Sequence, residues 1–419
     1  MSDLSEISLG WQMALRINRE PIRVLIVHNT YQQQGGEDRV VEDEIEMLRT
    51  HGHEVSIFSR DNKSIAAIGT IPLFANALWS RECAAGIGSE IQSFQPQVIH
   101  VHNTFPLISP SIYWQAAAAN VPVVQTLHNF RLLCPQAMFL RDDKICEDCL
   151  GKLPWRGVAH RCYRDSAAQS ATAATMLGLH RSIGTFRNKI TRYIALSEFA
   201  KAKFVESKQI MAERIAVKPN FVDVERHDSI VARRGGLLIG RLSREKGIHV
   251  LLAAMDKILD CECEIDVIGT GPEQVKLEGK RRIRLLSWRQ KGFIYEKMRT
   301  ARYLLLPSIC YENFPRTLVE AFACGLPVIA SRLGALPELI EEGHNGLMFT
   351  PGSPDDLASK IAWAEAHPDS MAEMGRNART TYEAKYTADK NYAQLLQIYT
   401  EAIAANGRVP IAATTAQRT

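Results

Sequence analysis

A chain of 419 residues, 46% hydrophobic and 23% charged, is long enough for two or three domains and has the make-up of a folded protein, which excludes disorder as its main state and collagen-like or coiled-coil architectures. Its 50 Lys and Arg against 46 Asp and Glu leave a net charge of only +4, which argues against a surface built to coat nucleic acid. Nine cysteines, an odd number scattered over the chain, do not read as a secreted disulfide scaffold, and no stretch approaches the ~18 uninterrupted apolar residues of a spanning helix. The first 18 residues carry Asp3 and Glu6 and lack the basic and apolar regions of a signal peptide. The expectation is a reducing, cytoplasmic protein, with peripheral contact at the inner face of the membrane left open.

Residues 23–28 (RVLIVH) form a short, β-branched apolar run that reads as a buried parallel strand. A polar loop over 29–34 leads to Gly35-Gly36, and residues 37–48 then place Val40, Val41, Ile45 and Leu48 at helical spacing. Gly52 stops that helix and 55–59 is the next strand, an order that opens a doubly wound α/β domain. Further strands are expected at 98–101, 121–126 and 193–196. The rhythm restarts after Pro219: strand 236–240, helix 247–259, strand 264–268 ending in Gly269-Thr270-Gly271, strands 283–286 and 303–306, helix 315–323, strand 328–330, and helix from 354 onward. Two α/β domains in tandem follow, joined near 218–228. Residues 131–164 break the pattern with scattered charges, Pro135, Pro154, Gly151, Gly157 and four cysteines, and read as a functional insertion rather than core.

Several constellations could carry chemistry. Gly35-Gly36, between the first strand and helix, would let the backbone approach an anion at a helix N-terminus, although an ordinary βα turn looks the same. In 240–247 (GRLSREKG), Arg241 and Lys246 at a strand's C-terminal end offer a fork and a point charge for phosphate oxygens, whereas Arg244 reads as solvated. Glu312 and Glu320, at a strand–loop–helix junction, could accept hydrogen bonds from sugar hydroxyls. Their spacing of eight is uninformative, since Glu46/Glu54 and Glu198/Glu206 share it. His128 follows an apolar strand and could exchange or donate a proton, but His28, His100 and His102 also stand at strand ends.

Cys134, Cys146, Cys149 and Cys162, spaced C-x11-C-x2-C-x12-C, have the pattern of a structural zinc site, which would explain how a poorly apolar insertion stays folded; buried free thiols or a partial redox pair fit the same residues. Cys261, Cys263, Cys310 and Cys324 read as core thiols. The basic run Lys276, Lys280, Arg281, Arg282 and Arg284 reads as solvated surface. A second set, Arg181, Arg187, Lys189, Arg192, Lys201 and Lys203, surrounds Ile183, Phe186 and Ile190 and could meet an anionic membrane or acceptor. The sequence holds no Asp-x-Asp and no full P-loop, which favours phosphate neutralisation by Arg and Lys over a divalent cation.

In order along the chain, GRLSREKG, IGTGP (268–272), the Glu312/Glu320 segment, CGLPVIAS (324–331) and PELIEEGHNGLMFTPG (337–352) resemble the retaining glycosyltransferases of family 4. The N-terminal half is similar more loosely, through Gly35-Gly36, His128, SEFAKAKF (197–204) and PNFVD (219–223). The resemblance implies the GT-B fold, two Rossmann-like domains facing a central cleft: 1–218 on the acceptor side, 219–385 binding the nucleotide sugar, a helix over 386–405 returning to the N-terminal domain, and a disordered tail over 406–419. It implies that Arg241 and Lys246 bind the donor diphosphate, Glu320 holds the ribose, and Glu312 contacts the transferred sugar. Backbone near Asn313, Phe314 and Pro315 would face the donor together with Gly269 and Gly271, Gly35 and Gly36 would close on the phosphates, and His128 would touch the sugar. Where the family often has Asp after that histidine, this chain has Asn129, and the base-reading segment near Arg284–Trp288 also departs, leaving UDP- and GDP-sugars both open.

The implied activity is transfer with retention to a lipid-linked or polysaccharide acceptor in bacterial exopolysaccharide, capsule or lipopolysaccharide assembly, with no cofactor required for catalysis and no nucleic-acid partner. The cysteine insertion looks like a feature of a bacterial surface-polysaccharide subgroup. A sugar-nucleotide epimerase on the same fold and a non-catalytic sugar-nucleotide-binding protein are the alternatives.

Overall fold

The computed structural model describes residues 20–32, 35–225, 232–258 and 263–407. The readings for residues 1–18, for Cys261, and for the tail beyond Gly407 lie outside the described residues, as does part of the joint at 218–228.

Two six-stranded, wholly parallel sheets carry the chain. The first contains β1 (Arg23–Thr30), β2 (Glu54–Asp61), β3 (Val98–Asn103), β4 (Val123–Leu127), β7 (Arg192–Ala195) and β8 (Ile215–Val217), in the order β2-β1-β3-β4-β7-β8. The second contains β9 (Gly236–Ile239), β10 (Ile265–Ile268), β11 (Ile283–Leu285), β12 (Tyr303–Leu306), β13 (Val328–Ser331) and β14 (Gly346–Phe349), in the order β11-β10-β9-β12-β13-β14. Helices cover both faces of each sheet, so central strands such as β1, β12 and β13 are buried along most or all of their length and are written as apolar runs. In each sheet the strand order reverses once, between β1 and β3 and between β9 and β12. Loops at the carboxyl ends beside such a reversal diverge and leave a crevice. The loops carrying Gly35, and those carrying Arg241, Lys246 and Glu312, are at these two reversals.

Two short edge strands, β8 and β14, were not expected from sequence. Each pairs on one side only, and three or four residues show too little periodicity to stand out. The helix expected over 247–259 is shorter, Ile248–Met255, and is preceded by a 3₁₀ turn at Arg244–Lys246. Gly247 sits between them at φ +71°, where a Cβ would lie 1.8 Å from the Pro307 carbonyl oxygen.

The last helix, Ala388–Ala405, lays Leu395, Leu396, Tyr399 and Ile403 on Ile22, Val24, Val98 and Val124 of the first sheet. The 131–164 segment is not separate from the core, contrary to the sequence expectation. Leu133, Cys134 and Phe139 join the N-lobe core, while Leu140, in the two-stranded hairpin β5 (Leu140–Arg141) and β6 (Lys144–Ile145), joins the core of the other lobe. Of the apolar residues that the second basic set was expected to surround, only Ile183 is exposed. Phe186 and Ile190 are buried, Arg181 donates to the carbonyls of Lys152 and Leu132, and Lys203 pairs with Glu147 and Glu206.

The packing of the final helix generates a stability expectation. Leu395→Ala should lower the free energy of urea unfolding by about 2–5 kcal/mol, the range for a fully buried leucine that leaves a cavity. A loss below about 1 kcal/mol would contradict its place in this core.

Candidate functional site

The C-lobe half of the site is built on the loops that follow β9 and β12. Lys246 Nζ lies 2.7 Å from Glu312 Oε1, and Ser308 Oγ donates to the same oxygen at 2.5 Å. Burial alone would push the Glu312 carboxyl up, but the Lys246 ammonium and the two hydrogen bonds outweigh it and hold the group below its usual range. Burial opposes the Lys246 charge in turn, and Glu312 more than offsets this, leaving the ammonium above its ordinary value. An ammonium has three donors, so the pair leaves Lys246 able to meet further oxygens.

Arg241 is exposed and has no ion-pair or hydrogen-bond partner among the described residues. Arg244, expected to be solvated, is exposed but paired with Asp143 of the insertion, its Nε 2.6 Å from Oδ1. Gly269 and Gly271 act in packing. A Cβ on Gly269 would stand 1.9 Å from the Gly240 carbonyl oxygen, and one on Gly271 would stand 2.3 Å from that of Leu242, so both let one loop lie on the loop that carries Arg241.

Glu320, on the helix Arg316–Ala323, accepts from Arg316 Nε at 2.9 Å, and the same guanidinium reaches Asp43 of the N-lobe helix Gly36–Thr50 at 2.5 Å. Burial raises the Glu320 carboxyl, with Arg316 pulling against it. Arg316, flanked by two carboxylates, is raised well beyond its usual value despite burial. The Phe314 ring is core, edge-on to Tyr386 at 5.7 Å, and Pro315 caps the helix without a side-chain hydrogen bond.

On the N-lobe side, the Gly35 N–H donates to Asp38 Oδ2 at 2.7 Å, closing a helix cap, so this amide is engaged within its own turn; Gly36 opens the helix. Asp38 also meets His28 Nε2 at 2.8 Å. Glu37 accepts from Tyr31 Oη at 2.7 Å and from Asn129 Nδ2 at 2.9 Å. His128, just past β4, has Nε2 2.9 Å from His102 Nδ1.

The lobes meet at these same residues. Asn313 Nδ2 donates to the Leu127 carbonyl at 2.7 Å, and Ser197 Oγ donates to the Asn313 carbonyl at 3.0 Å. The amides of Glu198 and Phe199, at the start of the helix Glu198–Glu206, donate to the Glu338 carboxylate at 2.9 and 3.0 Å, a negative charge at a positive helix end. His128 and Glu312, 184 positions apart in sequence, are thus next to the two partners of one interlobe hydrogen bond. A recess of about 1300 Å³ lined by Gly235, Glu264, Asp266, Arg284 and Glu365 lies at the opposite, amino-terminal ends of β9 and β10, away from these groups.

The four insertion cysteines are free and lie within electrostatic reach of one another. Burial and then Cys134 raise the thiols of Cys149 and Cys162, the latter to about 11. Among the described residues, the potential ligand group with donor atoms all within 4.8 Å is a different one: Glu44, His100 and His102, all buried. Sequence reading missed Asp43, Glu44, Lys218, Ser308, Arg316 and Glu338 as participants. The signal for Glu44 was present, because it interrupts the buried helix stripe of Val40, Val41, Ile45 and Leu48.

The comparisons agree with this architecture. The family described as "Glycosyl transferases group 1" matches residues 233–366, and "Glycosyltransferase Family 4" matches residues 34–226. The chain belongs to glycosyltransferase family 4. It is 30% identical over 172 residues to an uncharacterised glycosyltransferase of Methanocaldococcus jannaschii, 40% of this chain and 48% of that one. It is 27% identical over 263 residues to the D-inositol 3-phosphate glycosyltransferase of Streptomyces bingchenggensis, 55% of this chain and 56% of the relative. The chain thus spans about half the length of these curated relatives. Among solved structures, sucrose-phosphate synthase from Thermosynechococcus elongatus aligns with a TM-score of 0.69 at 18% identity, over 92% of this chain and 100% of that one. Anabaena HepE in complex with UDP-glucose aligns with a TM-score of 0.63 at 19% identity, again over 92% and 100%. These likenesses establish the GT-B fold.

The depressed Glu312 carboxyl gives a pH expectation. Its stabilising pair is complete above the ordinary glutamate value of about 4.3 and is lost as pH falls through the lower folded value. Glu312→Gln should flatten the acid limb of a plot of urea midpoint against pH. An unchanged limb would mean that the pair does not govern it.

Proposed function

We propose that the protein transfers a sugar from a UDP- or GDP-sugar to a hydroxyl of a lipid-linked or polysaccharide acceptor, with retention at the anomeric carbon, in bacterial surface-polysaccharide assembly. The observation that carries this reading is the Lys246–Glu312 pair at the C-lobe reversal, one residue from the Asn313–Leu127 lobe joint that adjoins His128, with Arg241, exposed and without a partner among the described residues, on the same loop as Lys246. A diphosphate there would meet one free and one partly engaged cation with no divalent ion needed. The C–O bond from the anomeric carbon to the diphosphate breaks while the acceptor oxygen bonds to that carbon on the same face, and the acceptor proton passes to the departing phosphate oxygen. No protein nucleophile takes part. Arg241 and Lys246 stabilise the charge that develops on the leaving group, which should be the largest single contribution.

Glu312 accepts from hydroxyls of the transferred sugar, Glu320 holds the ribose in competition with Arg316, and His128 faces the sugar from the N-lobe. The direct contacts of Asn313 with Leu127 and Ser197 support closure of the lobes around the donor.

For the acceptor, among the described residues no helix is long and apolar enough to cross a membrane. Ile71, Phe74, Leu179 and Ile183 are exposed on and beside two mutually packed N-lobe helices, Thr70–Leu78 and Ala167–Ser182. They support contact with the apolar part of a lipid-linked acceptor. Arg241→Ala should lower turnover on the order of 10²–10³-fold, measured with a panel of UDP- and GDP-sugars and with acceptors offered in solution and on lipid vesicles. Near-wild-type turnover in that variant would refute the assignment, and the anomer of the product, read by NMR, tests retention.

The four insertion thiols are the donor set that a structural zinc ion takes, although their sulfurs are not drawn into a group within 4.8 Å of one another, so the segment would close further to hold the ion. Bound there, zinc would clasp a segment seated between the lobes and would supply no catalytic step. Metal analysis of the purified chain should give one zinc per molecule, falling to none in Cys146→Ser/Cys149→Ser; equal zinc content in both proteins would place the metal elsewhere.

A further inference from the structure

A chain of buried polar groups runs behind His128 and ends far from the cleft. Lys218 Nζ donates to Glu44 Oε1 at 2.6 Å and to Asn391 Oδ1 at 3.0 Å. The second carboxylate oxygen, Glu44 Oε2, faces His102 Nε2 at 3.3 Å and His100 Nδ1 at 3.6 Å, and neither Glu44 Oε2 nor His102 Nε2 has a hydrogen-bond partner, which leaves each as the nearest group that could satisfy the other. His102 Nδ1 is 2.9 Å from His128 Nε2. Glu44, His100, His102 and Lys218 are all no more than 3% exposed.

A cation could in principle join Glu44, His100 and His102, but the surroundings speak for a proton. The Lys218 ammonium already sits on the same carboxylate, and His100 spends both ring nitrogens on Tyr399 Oη and Thr126 Oγ1, each at 2.7 Å. Burial lowers the pKa of His102 and His128, which leaves neutral imidazoles, each with one N–H and one lone pair. Burial opposes the Glu44 charge, and the Lys218 ammonium, by charge and hydrogen bond, holds its carboxyl below the usual range, so it can only accept.

The order of donors then follows along the chain. Facing a carboxylate, His102 carries its proton on Nε2, so its Nδ1 accepts. His128 must therefore donate from Nε2. Its Nδ1 has no hydrogen-bond partner among the described residues and is not sealed from solvent, next to the Leu127–Asn313 joint between the lobes.

We propose that Glu44 is a positioning residue that, through His102, fixes His128 in the Nε2-protonated tautomer, so that Nδ1 presents a bare lone pair to the cleft and accepts a hydrogen bond from a sugar hydroxyl. The part concerning the sugar rests on the reading that His128 faces the donor; the tautomer does not.

Glu44→Gln separates the two. Lys218 can only donate, so it will hold the amide oxygen at the Oε1 position and turn the NH₂ toward His102 Nε2. His102 must then carry its proton on Nδ1 and donate to His128, whose own proton moves to Nδ1. Long-range ¹H–¹⁵N NMR of the full chain labelled in histidine reads this directly, with the His128 signals identified by their loss in His128→Gln. The expected result is a wild-type His128 protonated on Nε2 and a Glu44→Gln protein protonated on Nδ1, with turnover lower by about tenfold, the scale of one hydrogen bond. A wild-type His128 that is Nδ1-protonated, an imidazolium, or an even mixture overturns the proposal, and this spectrum decides even if the variant does not fold. A folded variant with an unchanged tautomer also overturns it. A tautomer that switches while transfer is unaffected upholds the relay and refutes instead the placing of His128 on the sugar.

Discussion

The Lys246–Glu312 pair is the contact on which the site depends. It joins two loops that diverge at the strand-order reversal of the second sheet, and it places a cation and an anion 2.7 Å apart where a parallel sheet opens toward its ligand. The pair keeps both groups ionised despite burial, so neither has to be charged at the moment a ligand arrives. Ser308 donates to the same carboxylate oxygen that Lys246 meets, and Gly247 permits the close passage of the Lys246 loop under Pro307. One residue beyond Glu312, Asn313 reaches the other lobe, so the charged pair and the lobe joint are parts of a single short segment.

The cysteine-bearing insertion extends that joint. Asp143 holds Arg244, three residues from Arg241, while Phe139 stands edge-on to Tyr311, next to Glu312. A segment with little apolar content of its own therefore contacts both loops of the C-lobe site. The numerous non-glycine residues with positive φ in it, among them Ala137, Phe139, Asp142 and Asp143, mark a path shaped by turns and side-chain contacts rather than by regular structure.

Much of this was legible in the sequence. The long apolar strands and the glycines that close them gave the two-domain pattern, because a parallel strand covered on both faces is a run of apolar residues. Arg241, Lys246, Glu312 and His128 were singled out because they stand just past such strands. The short edge strands β8 and β14 were not found, since pairing on one side lets three or four residues suffice. Contacts between distant parts of the chain were invisible for a different reason. Arg316–Asp43 and Lys218–Glu44 join positions more than 170 apart in sequence, and nothing local marks Asp43 or Lys218 as a partner. Histidines 100 and 102 alternate onto one face of β3, a spacing that placed them together but could not say that His128 would complete the row.

The Arg316 guanidinium has a consequence of its own. It bridges Asp43 on one lobe and Glu320 on the other with two separate nitrogens. If the lobes hinge apart, Asp43 is withdrawn and the guanidinium, left with one counter-charge, grips Glu320 harder. In the ribose-holding role proposed for it, Glu320 would then be least available when the molecule gapes and most available when it is shut. On that proposal, nucleoside affinity and interdomain angle would become two readings of one electrostatic balance, and engagement of the nucleotide itself would favour the shut form.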